Sequence, residues 1–168
     1  MKSFQIRAYL PSDKQKCLSI FQSNCPLFFD VDEYALFEKW LDHQSGEKEG
    51  YQSPTYIDAQ EDVYLVIENE SQEVVGCGGY YVVKDLSEAR LAWGMIHRDF
   101  HHEGYGSLLY QFRAEEIISR WPKIRLTLGT SQHTYQFYQK MGMKVVEIVH
   151  QGYGPDLDQY NMEVSSDF

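Results

Sequence analysis

Three stretches of the chain hold residue types whose spacing could carry chemistry. The first is His101-His102-Glu103-Gly104-Tyr105-Gly106-Ser107. Two glycines one residue apart free the backbone of side-chain bulk, so several main-chain N–H groups can converge on one anion. A helix opening at that point adds about half a positive charge at its N-terminus. Together these outline a pyrophosphate cradle, although a Gly-x-Gly turn alone is equally a tight turn that needs positive φ. The second stretch is Phe137-Tyr138-Gln139-Lys140-Met141-Gly142-Met143. Its Tyr138 offers a phenol with an unperturbed pKa of ~10, protonated at neutral pH and able to donate; packing against Tyr135 and Met141 is the other use for it. The third is the ligand-type group His97, Asp99, His101, His102 and Glu103. The i,i+4 spacing of His97 and His101 aligns ligands only on a helix, which Gly104 and Gly106 interrupt. After His102-Glu103 a metalloprotease needs a second histidine where Gly106 stands. No metal site is therefore expected.

The elements that must position these residues follow from periodicity. Phe4 to Tyr9 reads as a strand, Pro11-Ser12-Asp13 as a helix start, and Cys17, Leu18, Ile20 and Phe21 as the apolar face that follows. Tyr34, Phe37, Trp40 and Leu41 give a second helix over about Asp32 to Asp42, and the polar run His43 to Pro54 reads as a loop over a cleft. Asp62 to Glu68 and Glu73 to Lys84 form a hairpin around Asn69-Glu70-Ser71-Gln72. Ala89 to Ile96 is the next strand, with Gly94 marking either a bulge or simple packing. A helix from Ser107 to Trp121, apolar on two sides, suits the middle of an α/β layer and ends at Pro122. Ile124 to Leu128 is a strand, Gly129-Thr130-Ser131 leads into a helix closed by Gly142, and Lys144 to Val149 and Gln159 to Val164 pair through the link Gln151 to Pro155.

Composition bounds the partners. The 168 residues suit one domain over 1–168, and 43% apolar content with 13 Tyr and 9 Phe calls for a packed core. No apolar run approaches the eighteen or so residues a membrane helix needs, and the charge of Arg7, inside what would be the apolar part of a signal peptide, argues against secretion. Cys17, Cys25 and Cys77 lack metal or redox spacing and read as buried thiols in a reducing cytoplasm. A net charge of −10 argues against nucleic acid and favours a cationic acceptor, unless it serves solubility alone. The acidic groups Asp30-Val31-Asp32-Glu33 and Glu61-Asp62 read as solvated faces or helix starts.

The segment Ile96 to Gly106 resembles the acyl-CoA binding signature of the GNAT superfamily of N-acyltransferases, which runs strand, turn, Arg/Gln-x-x-Gly-x-Gly/Ala, helix. Phe137 to Met143 resembles the second signature of that family, and the order and spacing of the two agree. The resemblance implies an α/β fold: a three-layer domain with a mixed, mostly antiparallel sheet flanked by helices, opened for the pantetheine arm where two parallel strands splay. It implies N-acetyl transfer from acetyl-CoA to a primary amine by direct attack in a ternary complex. The main-chain groups of His102, Glu103, Gly104, Tyr105, Gly106 and Ser107 would cradle the pyrophosphate, with Ser107 adding a hydroxyl. Met95 and Ile96 would bond the pantetheine amides and supply an oxyanion donor. Tyr138 would be the general acid, and Ser131 stands where the family commonly has an Asn, a position a helix cap explains equally.

Two positions depart from the family pattern. His101 replaces the leading Arg/Gln, and Glu103 places a carboxylate where phosphate would repel it, so Glu103 should face solvent. Protonated imidazole at His101 and His102 would offset that charge, so CoA affinity should fall as pH rises through the imidazole range. Arg90 and Trp93 are candidates for lining the acceptor cleft. Glu61, Asp62, Glu68, His97 or bound water could serve as base, and the sequence does not choose among them. The acceptor is a small-molecule or peptide amine; a homodimer is compatible with the sequence. A non-catalytic acyl-CoA binding or sensing module would share the glycine turn without the acid or the acceptor cleft.

Overall fold

The computed structural model describes residues 3–46 and 59–164. Seven strands form one sheet in the order β1-β2-β3-β4-β5-β7-β6. The strands are β1 (Phe4–Ala8), β2 (Glu61–Asn69), β3 (Val74–Val82), β4 (Glu88–Ile96), β5 (Arg125–Thr130), β6 (Lys144–Gly154) and β7 (Leu157–Val164). Every neighbouring pair runs antiparallel except β4 and β5. Helices α1 (Lys14–Ser23) and α2 (Tyr34–Gln44) cover one face; α3 (Tyr105–Arg120) covers the other, with α4 (Tyr135–Lys140) beside it. This is the three-layer α/β arrangement with a mixed, mostly antiparallel sheet that the sequence led one to expect.

Alternation along the strands sorts the core onto the two faces. Tyr64, Val66, Cys77, Tyr81 and Met95 meet Phe21, Phe37, Trp40 and Leu41 of α1 and α2. Tyr80, Val82, Ala89, Leu91 and Leu126 meet Tyr110, Ala114 and Ile117 of α3. Covered on both sides, β3 is buried throughout, which is why its sequence reads as a continuous apolar and small-residue run. Cys17 and Cys77 are fully buried and Cys25 partly so. No helix among the described residues is long and apolar enough to cross a membrane.

The helix starts are specified locally. Asp13 accepts from the Leu10 N–H and from Nη1 and Nη2 of Arg7 at 2.8–2.9 Å, closing the turn before α1. Asp30 accepts from Asp32 N–H while Glu33 reaches back to Asp30 N–H at 3.1 Å, a capping box on the turn before α2. In the β2–β3 hairpin Asn69 Oδ1 takes the N–H groups of Ser71 and Glu73, so the side chain replaces missing ladder bonds.

Four expectations change in detail. α3 buries a single stripe, Tyr105, Leu109, Arg113 and Ile117 with Tyr110 and Ala114, rather than two sides. α4 begins only at Tyr135, because the Ser131 carbonyl takes the Thr134 and Tyr135 N–H groups in a preceding turn. The link expected over Gln151 to Pro155 is strand as far as Gly154; Asp158 accepts the Gln151 N–H at 2.9 Å where the register shifts. α2 runs on to Gln44, and residues 47–54 of the expected loop lie outside the described residues.

Candidate active site

The parallel pair β4/β5 stays in register only from Glu88↔Arg125 to Arg90↔Thr127 and then parts. At the same level β4 carries a bulge: Cys77 faces Met95 and Gly79 faces Ala92, so Trp93 and Gly94 together oppose Gly78. Trp93 takes φ +48° there. The extra residue bends the strand away from β5 and turns Trp93 to the α1/α2 face, where it packs against Phe29 and Phe37. Gly94, read from sequence as bulge or packing, is part of this bulge. The opening leads into a cavity of about 780 Å³ that extends from the turn before α3 to the end of β6.

One end of the cavity is built from backbone. Gly104 has φ +92° and caps α3 in the left-handed region that favours glycine; His102 precedes it at φ +63°. The first bond onto the new helix is from Leu108 N–H to the Gly104 carbonyl at 3.2 Å. Among the described residues, no group accepts from the N–H of His102, Gly104, Gly106 or Ser107, all of which line the cavity. Gly106 lies against the Phe137 ring, which fixes the turn to α4. Tyr105 also lines the cavity, whereas Glu103 is exposed and does not.

His101 is half-buried, with Nε2 placed 2.8 Å from the Ile96 carbonyl and its ring against Phe28. Burial lowers its pKa, partly opposed by that contact, and the neighbouring His102, Arg98 and His97 lower it further. Asn24 Nδ2 also donates to the Ile96 carbonyl, at 2.9 Å. The bond from His97 N–H to the Val75 carbonyl sets the phase of the ladder. Met95 therefore bonds to Cys77, and Ile96 turns its N–H and carbonyl away from β3.

Tyr138 is half-buried overall, but its hydroxyl is enclosed beside the Arg113 guanidinium. Burial raises the phenol pKa and Arg113 opposes the rise, so the group holds its proton at neutral pH. Arg113 is only 2% exposed, and donates to the Leu109 and Gly79 carbonyls at 3.2 and 3.1 Å. It crosses the sheet face where Gly78 and Gly94 leave room: a Cβ on Gly94 would sit 2.9 Å from Arg113 Nη2. Ser131 is buried in the cavity wall and its hydroxyl accepts the His133 N–H at 3.3 Å.

The other end of the cavity is made of side chains. Arg90, Glu33, Tyr153, Phe29 and Trp93 converge there. Burial lifts the Glu33 carboxyl to about 7; its bond from Asp30 N–H pulls the other way and the Asp30 charge adds to the rise. Burial pushes the Tyr153 phenol up to about 12 against the pull of Arg90. The four base candidates read from sequence lie elsewhere. Glu61 pairs with Arg120, Asp62 meets His43 and Gln44, Glu68 pairs with Arg7, and His97 accepts the Asp99 N–H. No group of three or more metal-ligating side chains occurs among the described residues.

Glu33, Arg113 and Tyr153 escaped the sequence reading. Arg113 had a signal, an arginine in the middle of the i,i+4 apolar series Tyr105, Leu109, Arg113, Ile117. Glu33 was legible only as a helix-start acid, which it is, and Tyr153 only as part of a glycine-rich link.

A profile described as the acetyltransferase (GNAT) domain matches residues 60–145, half of the chain. Solved structures with the same fold include the ribosomal-protein-S18-alanine N-acetyltransferase of Escherichia coli, with 16% identity, 99% of this chain and 96% of that one covered, and a TM-score of 0.70. The spermidine N-acetyltransferase of Vibrio cholerae gives 12%, 97% and 94%, and 0.70. An aminoglycoside 6'-N-acetyltransferase complexed with coenzyme A gives 16%, 96% and 97%, and 0.70. No curated protein sequence matches the chain. The chain belongs to the GNAT acetyltransferases, and is an acetyl-CoA-dependent acyltransferase.

Proposed function

We propose that the protein transfers an acetyl group from acetyl-CoA directly to a primary amine with both substrates bound. The observation that carries this reading is the pairing, within one cavity, of four unclaimed turn amides at one end with an enclosed phenol and a carboxylate poised near neutrality further in. The amides of His102, Gly104, Gly106 and Ser107, helped by the α3 N-terminus, bind the cofactor pyrophosphate. The Tyr105 and Glu103 backbone continues that turn, and Glu103 is an exposed residue outside the cavity lining. The Ile96 N–H, on the open side of β4, meets the pantetheine arm or the oxyanion; Met95, bonded to Cys77, holds the strand in place. Ser131 shapes the wall beside the arm.

The acceptor reaches the site as an ammonium ion, drawn by the net negative charge. Glu33 takes its proton. The amine nitrogen then attacks the thioester carbon, forming a C–N bond and a tetrahedral oxyanion. Collapse breaks the C–S bond, and Tyr138 gives its proton to the departing thiolate while Arg113 stabilises the phenolate left behind; the second proton of the attacking nitrogen, shed as the neutral amide forms, passes through solvent to that phenolate and restores Tyr138. Glu33 ionises near neutrality, which matches a base to cytoplasmic pH, the compartment proposed for the chain.

Thermal unfolding with acetyl-CoA, CoA, ATP and EDTA, combined with thiol release in the presence of amines, tests this. Acetyl-CoA at a hundredfold over its dissociation constant should add about 2.7 kcal/mol, roughly 5–10 °C at this size. A shift by ATP equal to that by CoA would mean generic nucleotide binding. Cofactor binding without turnover of any amine would leave a sensing module instead, and loss of activity in EDTA would bring back a metal.

A further inference from the structure

We propose that the acceptor carries a carboxylate as well as its amine, and that Arg90 with Tyr153 holds that carboxylate while Glu33 meets the amine. The site is thus fitted to an amino acid rather than to a simple amine or a polyamine. This rests on the transferase reading above.

Arg90 stands apart from the other arginines. Arg7 holds Asp13 and Glu68, Arg120 holds Glu61, and Arg125 holds Glu88 and Glu163. Arg113 is spent on two backbone carbonyls, and Arg98 is exposed. Arg90 is half-buried in the cavity wall, and among the described residues it has no carboxylate within ion-pair distance and no hydrogen-bond acceptor. A guanidinium presents a planar fork of donors that matches a carboxylate. Leaving it half-buried and unmatched is unfavourable unless a ligand completes it.

Its position is also specific. Arg90 is the last β4 residue paired with β5, so it sits at the root of the splay, opposite Tyr81 on the α1/α2 face. Gly129 across the gap has no side chain there. A Cβ on it would lie 2.9 Å from Arg90 Nη2 and would strike the Tyr153 hydroxyl. Two donors therefore flank one small space. Tyr153 holds its proton well above neutral pH and so donates. Glu33 lies within electrostatic reach of Tyr153, giving the opposite charge at the same end. Phe29 and Trp93, which line the same cavity, stack with centroids 6.3 Å apart, an apolar wall for the body of the acceptor.

A polyamine would bring a second positive charge to Arg90 and would be repelled. A zwitterion satisfies both charges. The cofactor phosphates belong to the α3 turn at the opposite end, which separates the two anion sites.

The test compares amines that differ only in the carboxylate, such as phenylalanine with phenethylamine and lysine with cadaverine, on the full chain with acetyl-CoA fixed. The expected result is a kcat/KM for the amino acids at least tenfold above that for their decarboxylated partners. In Arg90→Gln that advantage collapses by about 10- to 100-fold, through the acceptor KM and with the acetyl-CoA KM unchanged. Arg90→Lys restores part of it, and Tyr153→Phe loses less than Arg90→Gln. A wild-type preference for the carboxylate-free amines overturns the proposal, as does an Arg90→Gln effect on acetyl-CoA instead of the acceptor. Turnover of neither class by a protein that still binds acetyl-CoA overturns it too. Failure of acetyl-CoA itself to bind removes the transferase reading along with it.

Discussion

At the end of the cavity assigned here to the cofactor, the groups proposed to recognise it are backbone amides from one run of seven residues, His101 to Ser107. At the acceptor end they are side chains from three separate segments: Glu33 before α2, Arg90 on β4 and Tyr153 on β6. The first end needs only a glycine at φ +92° and a helix start, so its geometry is encoded locally. The second exists only once β6 has paired with β7 and the Asp30–Glu33 turn has packed against Gly154, where a Cβ would strike the Asp30 carboxylate. A site of the first kind tolerates change in the side chains around it. One of the second kind can be respecified by a single substitution, which fits a family fold shared by neighbours named for a protein, a polyamine and an aminoglycoside.

Tyr138 stands between the two ends and offers the sharpest way to break the comparison. Tyr138→Phe should lower kcat by about 10²–10⁴ and leave acetyl-CoA binding intact, measured by single-turnover thiol release and by thermal shift. An unchanged kcat would return Tyr138 to packing against Tyr110 and Phe137.

Glu33 tests the acceptor end. As the base it must be ionised, so kcat/KM should rise with pH through about 7. Glu33→Gln should flatten that limb and cost about 10²-fold at pH 8. Stability gives a second readout of opposite sense. A carboxyl whose native pKa lies above its unfolded value binds more protons when folded, so stability should fall as pH rises from about 4.3 to about 7. Glu33→Gln should remove that slope, and an acid limb that persists in the variant would move the base elsewhere.

The difference between the ends also explains what the sequence could tell. The Gly104 turn, the Tyr138 helix with Gly142 after it, and the strand that splays are readable because each is contiguous. The two faces of the sheet are readable from alternation, as in Tyr80 against Tyr81. Glu33 was hidden because a capping-box acid looks the same whether or not β6 later encloses it. Arg90 and Trp93 could be suspected, yet a bulge that turns Ala92 and Trp93 to the same face breaks the very alternation by which one would place them. The paired state of Glu61, Asp62 and Glu68 depends on arginine and histidine partners 19 to 61 residues away, beyond any local signal.

At the cofactor end the expected effects are smaller, because several amides share the load. Gly104→Ala forces a side chain into the left-handed region at about 1–2 kcal/mol. Acetyl-CoA affinity or turn stability should therefore weaken by roughly 5- to 30-fold, with the acceptor KM unchanged. A selective change in acceptor KM would mean that the two ends are coupled.

The smallest effect belongs to His101, and its sign follows from linkage. In the free protein burial disfavours the protonated ring, whereas bound pyrophosphate favours it. The complex then binds a proton more readily than the free protein, so affinity for CoA should rise as pH falls from the pKa of the complex to that of the free protein, which burial places below the ordinary imidazole value. The gain should be less than about tenfold between pH 8 and 5.5, since a pKa change of one unit corresponds to about 1.36 kcal/mol and the ring is already held by the Ile96 carbonyl. Isothermal titration of CoA into wild type and His101→Asn at both pH values separates the contributions. If the variant keeps the full pH dependence, the proton is taken up elsewhere, and His101 acts only to brace Ile96 beside the opening of the sheet.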